Sequence, residues 1–266
     1  ITLHHIQMRR EAVDMAIIAN ARKINIYAYD LAIMDAIYTL YYYGQDIVTI
    51  NMIQRALSGD MRQEVTMAQR SKIKDSVDKL SMLTVYVDIG DLAKKRRWDV
   101  KTKRKDKLLP VTRQKCRNNN GRIVDGYMIR DCPIICWITQ MMRQIVSVPI
   151  GYMDLQLPNT TQYILLQRYL LRRIMMMRNG NNGVVSNRIR FAYNGTDNNG
   201  LLDAVDIYPQ DYISWGKKKH DIRKCIVRIL DTMVNREIVN GYHEYYENNK
   251  FCGYEIDYVT TNDGNN

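Results

Sequence analysis

Apolar residues recur along this chain at two spacings. Between Thr66 and Met82, Ile73, Val77 and Leu80 fall at i, i+4 and i+7, the interval that gathers side chains on one stripe of an α-helix. Between Ser214 and Asn235, Ile222, Ile226, Ile229, Leu230 and Met233 repeat that interval over a longer span. Each stretch gives way within a few residues to the two-residue alternation of strands, TVYVDIG after the first and YHEYYENNKFCGYEIDYV after the second. An apolar-faced helix followed by a hairpin therefore occurs twice.

The rest of the chain arranges itself around those two motifs. Residues 1–25 read as a helical arm, with Ile6, Val13, Ile17 and Ile18 set among charges at roughly helical intervals. Asp30 is a candidate N-cap for a helix whose stripe is Ile33, Met34, Ile37, Leu40 and Tyr41 and whose end is Gly44. A short strand (Ile47 to Ile50), a helix ending at Gly59 and the helix from Thr66 follow. Strands are expected over Thr84 to Ile89 and Lys107 to Arg113. Another follows the Asn118 to Gly121 turn as RIVDGYMI, then a helix in CWITQMMRQ, an extended SVPI, and a domain boundary close to Gly151.

The second half opens with Thr160 or Thr161 as a cap and a helix carrying Tyr163, Leu166, Leu170, Ile174 and Met177. SNRIRFAY reads as a short strand, the stretch up to Ile213 is weakly patterned, and the last hairpin turns at Asn248 and Asn249. The order helix, strand, helix, helix, hairpin predicts an α+β chain of tandem winged-helix domains, that is, helix-turn-helix units with β-hairpin wings. The expected division is an arm at 1–25, a first domain at 26–150 with an enlarged basic wing, a second at 151–260, and a frayed tail at 261–266.

Charge sharpens this picture. The 39 Lys and Arg against 28 Asp and Glu leave a formal charge of +11, which points to an anionic partner. Nine basic residues crowd between Lys94 and Lys107, opposed only by Asp99 and Asp106. Lys94, Lys95, Arg96, Arg97, Lys101, Lys103, Arg104 and Lys105 are therefore candidates to track phosphates from a wing; the alternative is a solvated loop. On the first recognition-type helix, Gln69 and Arg70 are candidate base readers, because Gln pairs with adenine and Arg with guanine in bidentate geometry; Lys72 and Lys74 suit phosphates. On the second, Lys217, Lys218 and Lys219 occupy the entrance, and Arg223, Lys224 and Arg228 continue along it.

Other chemistry is poorly represented. Five scattered cysteines do not form a secreted disulfide framework, and a reducing cytoplasm is expected. The first twenty residues carry Arg9, Arg10, Glu11 and Asp14 where a signal peptide would be apolar, and no run is long enough to span a membrane. His4 and His5 are adjacent rather than separated by one residue, which does not suit a metal held beside a nucleophilic Tyr. Cys132 and Cys136 lack a second closely spaced ligand pair, and no Gly-rich phosphate loop ends in Gly-Lys-Ser or Gly-Lys-Thr. Neither catalysis nor a cofactor or metal is expected.

The DAIYTLYYYG helix, TMAQRSKIKDSVDKL, QIVSVPI, ILLQRYLLRRI and KKKHDIRKCIVRILDTMVNREIVNGY together resemble a family of plasmid and mobile-element replication initiators built from two winged helices. The resemblance covers most of residues 30 to 260. The chain departs from an ordinary bacterial composition in having two Phe against 19 Tyr. The resemblance implies a protein that recognises repeated origin sequences in double-stranded DNA, helps melt adjacent AT-rich DNA and recruits host replication proteins. It also implies a switch between a homodimer and a DNA-bound monomer. A winged-helix transcriptional regulator and a protein-interaction module without DNA binding are the alternatives that the residues leave open.

Overall fold

A computed structural model of the protein describes residues 2–8, 11–18, 25–62, 64–97, 99, 103–117, 121–141, 152, 154–180, 186–191 and 200–258. It is a mixed α+β chain whose strands pair antiparallel throughout the described residues. They fall into two units: residues 1–26, 30–56 and 63–145 in the first, and 27–29, 57–62 and 146–266 in the second. The boundary expected at Gly151 and the SVPI strand lie outside the described residues, as do Lys101 and the tail at 261–266.

In the first unit, strands β1 (Thr2–Met8) and β2 (Glu11–Ile18) precede helix α1 (Ala28–Tyr42). The helical arm is thus corrected to a hairpin, with Thr2 paired to Ile17 and Met8 to Glu11. Val13, Met15 and Ile17 are two residues apart, and that strand period overrides the looser helical spacing of Ile6, Val13 and Ile17. Helix α1 starts before Asp30, so Asp30 is not its cap. The side chain is buried and accepts from Ser76 Oγ at 2.7 Å and from Lys79 Nζ at 2.6 Å. A buried carboxylate needs such partners, and here they tie α1 to the helix that begins after Thr66.

Strand β3 (Ile47–Thr49) and helix α2 (Ile50–Ser58) lead to α3 (Met67–Met82). The buried residues of α3 are Ile73, Ser76, Val77 and Leu80, the apolar stripe expected from its spacing plus the serine that meets Asp30. After β4 (Thr84–Asp88) come a short helix α4 (Gly90–Arg96), β5 (Lys103–Lys107), β6 (Val111–Arg117), β7 (Ile123–Ile129) and α5 (Ile134–Met141). The hairpin expected from Thr84 to Arg113 is divided between two sheets. β4 pairs with β5 in a sheet ordered β1-β2-β4-β5, whereas β6 crosses to a second sheet ordered β3-β7-β6. Buried Leu108, Leu109 and Pro110 separate β5 from β6, and Tyr38 Oη donates to Leu108 O at 2.5 Å. This anchored turn breaks the strand that the sequence suggests is continuous.

The second unit repeats the order of the first without the inserted strands. Helix α6 (Thr161–Gly180) is capped by Thr160, whose hydroxyl accepts from Tyr163 N at 3.4 Å. Strand β8 (Ser186–Arg190), the short α7 (Leu201–Ala204), a 3-10 turn (Pro209–Asp211) and α8 (Trp215–Asn235) follow, then β9 (Val239–Glu247) and β10 (Lys250–Tyr258). The sheet order is β8-β10-β9. Its core joins Leu166, Leu170 and Ile174 of α6 to Ile222, Ile226 and Ile229 of α8 and to Tyr254 and Ile256 of β10.

The two small sheets are built alike. In both, the first strand pairs with the last, and the central strand carries a glycine against a carbonyl of the first. A Cβ on Gly126 would lie 3.2 Å from Val48 O, and one on Gly253 would lie 2.1 Å from Ile189 O. Among the described residues, no helix is long and apolar enough to cross a membrane.

Candidate nucleic-acid interface

The first recognition-type helix is held at its start by a capping box. Gln69 N donates to Thr66 Oγ1 at 3.3 Å, while Thr66 N donates to Gln69 Oε1 at 3.0 Å. Gln69 thus spends its amide oxygen on the backbone N–H of Thr66. Arg70 is half-buried and donates to Asn51 Oδ1 of α2 at 3.4 Å. Lys72 is exposed; the residual burial around its ammonium lowers its pKa, with Asp30 pulling the other way. Lys74 is half-buried. Met67, Ala68, Ser71 and Asp75 complete the exposed face and are not among the candidates that the sequence suggests.

The basic run does not form one loop. Lys94, Lys95 and Arg96 make the last turn of α4, where cations suit the negative end of the helix dipole, and Arg97 ends it in the left-handed region at φ 54°. Lys103, Arg104 and Lys105 lie on β5, a strand of the β1-β2-β4-β5 sheet. Lys103 and Lys105 are exposed, Lys103 near Asp88 at 3.5 Å. Arg104 is turned the other way, 5.0 Å from the Trp137 ring centre and 3.4 Å from Asp106. It belongs to the packing of this sheet against α5 rather than to an open phosphate track.

A second basic row is harder to see in the sequence. Arg113, Lys115 and Arg117 are exposed at alternate positions of β6, and Arg122 is exposed at the start of the return to β7. Arg113 shares its charge with Asp125 at 3.1 Å. The signal is a two-residue period of basic residues, but it lies beside the denser 94–107 run and reads as the end of that hairpin.

Helix α8 divides its cations between two tasks. Lys217 and Lys224 are exposed, as are His220 and Asp221, which the sequence pattern does not single out. Arg228 is exposed. The others turn inward. Lys218 Nζ donates to Gln162 Oε1 at 2.6 Å and stands 4.9 Å from the Tyr212 ring centre. Lys219 lies 5.9 Å from the Phe191 ring centre, and Arg223 meets Glu244 at 2.6 Å and the Phe251 ring at 3.9 Å. Lys218, Lys219 and Arg223 thus fasten α8 to its own unit.

The two hairpins next to these helices differ in charge. The β6–β7 hairpin is basic. The β9–β10 hairpin turns at Asn248 and Asn249, both in the left-handed region at φ 50° and 60°, and carries Glu244, Glu247 and Glu255. Burial pushes the Glu244 carboxyl up, but hydrogen bonds from Tyr246 and Arg223 outweigh it and hold the group below the usual glutamate value. Glu255 is taken up by Arg188 at 2.9 Å. Among the described residues, no group of three or more His, Cys, Asp or Glu is placed to hold a metal ion.

No protein-family model matches the chain, and no curated protein matches it. Two solved structures of RctB are similar to it in fold at low identity. One, of RctB domains 2-3, is 12% identical with a TM-score of 0.49, covering 97% of this chain and 90% of that one. The other, of selenomethionine derivatives of RctB domain 2 and domain 3, is 14% identical with a TM-score of 0.48, covering 96% and 89%.

Proposed function

We propose that this protein is a sequence-specific double-stranded DNA-binding protein, a replication initiator in role, that grips its site with two winged helices and performs no chemistry of its own. The observation that carries this reading is the repeated architecture. Each unit runs helix, strand, helix, helix, hairpin, and each closes its small sheet by pairing the first strand with the last. In each, the third helix leaves cations on its outward face: Lys72 on α3, and Lys217, Lys224 and Arg228 on α8. A helix of that kind beside a hairpin suits the major groove and its flanking phosphates.

In this reading the first wing is the β6–β7 hairpin, with Arg113, Lys115, Arg117 and Arg122 at the phosphates, and β4, α4 and β5 are an insertion between third helix and wing whose strands pair with the preceding β1–β2 hairpin. The initiator role rests on the sequence resemblance, with origin repeats as the target and host replication proteins and a second copy of the chain as partners.

The test is fluorescence anisotropy of the full chain with a duplex from the DNA flanking its gene and with a scrambled duplex, across a salt series. Preference for the flanking duplex with a steep salt slope is the expected result. Equal weak binding to both duplexes, or none, would overturn the proposal.

A further inference from the structure

The outward face of α3 begins with two apolar residues, Met67 and Ala68, where a base-reading helix enters the groove. The two side chains best suited to bidentate readout are engaged elsewhere, Gln69 with Thr66 and Arg70 with Asn51. What the helix presents instead is Met67, Ala68, Ser71, Lys72 and Asp75. Met67 is 80% exposed, an unbranched apolar side chain without an interior to fill. Met61, Met82 and Met176 are also exposed, at 56%, 57% and 46%. On α8 the corresponding face is Lys217, His220, Asp221 and Lys224, polar throughout.

Of the groups that base edges show in the major groove, the thymine C5-methyl is the apolar one. Methionine suits it, because a flexible, polarizable thioether moulds itself to a small apolar knob. Lys72 is the cation of the same face, with Asp75 three residues further along, and Ala68 adds a second methyl without obstructing approach.

We propose that the first unit reads thymine methyl groups through Met67, seconded by Ala68, while donors and acceptors on α8 read the other half of the site. This inference rests on the assignment of both units as duplex binders. It makes Met67 a specificity-determining residue of α3, in place of Gln69 and Arg70.

Replacing thymine by deoxyuridine removes the methyl and nothing else. The full chain would be used to select a duplex from a random library, and the selected duplex resynthesised with deoxyuridine at each thymine in turn. At one or two positions the wild-type chain is expected to lose about fourfold in affinity, equivalent to the ~0.8 kcal/mol of one buried methyl-sized group. Met67→Ala is expected to lose a similar factor on the thymine duplex and nothing further on deoxyuridine, with its salt slope unchanged. Met67→Leu should retain the discrimination. Equal wild-type affinity for both duplexes would overturn the proposal, as would a Met67→Ala variant that still discriminates. Selection that enriches no sequence would instead overturn sequence-specific binding itself, and this inference with it.

Discussion

The guanidinium of Arg223 on α8 lies 3.9 Å from the ring centre of Phe251 on β10. The same arginine meets Glu244 of β9 at 2.6 Å, so one side chain touches both strands of the hairpin. A residue that sequence reasoning places on DNA is thereby a fastener between helix and hairpin.

Arg223→Ala should therefore act first on stability. A partly exposed cation–π contact contributes ~0.5–2 kcal/mol and a partly exposed ion pair ~0.2–1 kcal/mol. A loss of about 1–2 kcal/mol in urea unfolding is expected, with Arg223→Lys recovering part of it, since Lys keeps the charge but not the planar stacking. Wild-type stability in the alanine variant would show that the arginine contributes nothing in solution.

Acid should loosen the same joint. The Glu244 carboxyl is held below its ordinary value in the folded chain, so its contribution to stability is fully present above the unfolded value of ~4.3. It fades as pH falls through the lower folded value. Urea midpoints compared for wild type and Glu244→Gln should differ by a constant amount well above the unfolded value of ~4.3 and converge as pH falls through the lower folded value. A difference that grows on acidification would reverse the sign of the argument.

Gly253 gives a harsher test of packing. A methyl group there would lie 2.1 Å from the Ile189 carbonyl oxygen, a backbone atom that yields only if β8 moves. Gly253→Ala should cost about 3 kcal/mol or more, at or beyond the upper end for overpacking. Gly126→Ala, where Val48 O is 3.2 Å away but Cys116 Sγ is 2.9 Å away, should cost less because the thiol side chain can give. Thermal unfolding of the two variants orders them.

Lys115 and Arg117 distinguish the two hairpins available as the first wing. If β6–β7 lies on phosphates, the Lys115→Ala, Arg117→Ala double variant should flatten the plot of log affinity against log salt. The slope should fall by up to ~0.9 for each phosphate that is no longer neutralised, with base preference intact. Lys103→Ala with Lys105→Ala, on the other sheet, is the comparison. An effect confined to the second pair would return the wing to the basic run at residues 94–107.

Much of the scaffold is legible because apolar spacing on a helix records which side is buried. Ile73, Val77 and Leu80 on α3, and Ile222, Ile226, Ile229, Leu230 and Met233 on α8, are buried as their intervals require. The Asn248-Asn249 turn is legible because two left-handed residues favour Asn. Strand partnership is not, since alternation shows that Thr84 to Asp88 is a strand but not whether it joins β5 or β6. Candidate cations are legible only as charges. The sequence does not show that Lys218 finds Gln162, 56 positions earlier, or that Arg223 finds Glu244. Asp30 misleads for the same reason: its partners Ser76 and Lys79 lie 46 and 49 positions away.

The pairing of first strand with last sets a clock on synthesis. Val48 pairs with Tyr127 and Ile189 with Tyr254, so each early strand is made long before its partner exists. At ~5–20 residues per second on a ribosome, β3 waits about 4–16 s for β7. Pairings this distant along the chain also form slowly once both strands are present. During that wait the edge of β3 is open to the wrong strand, and the nascent chain is at its most vulnerable to aggregation.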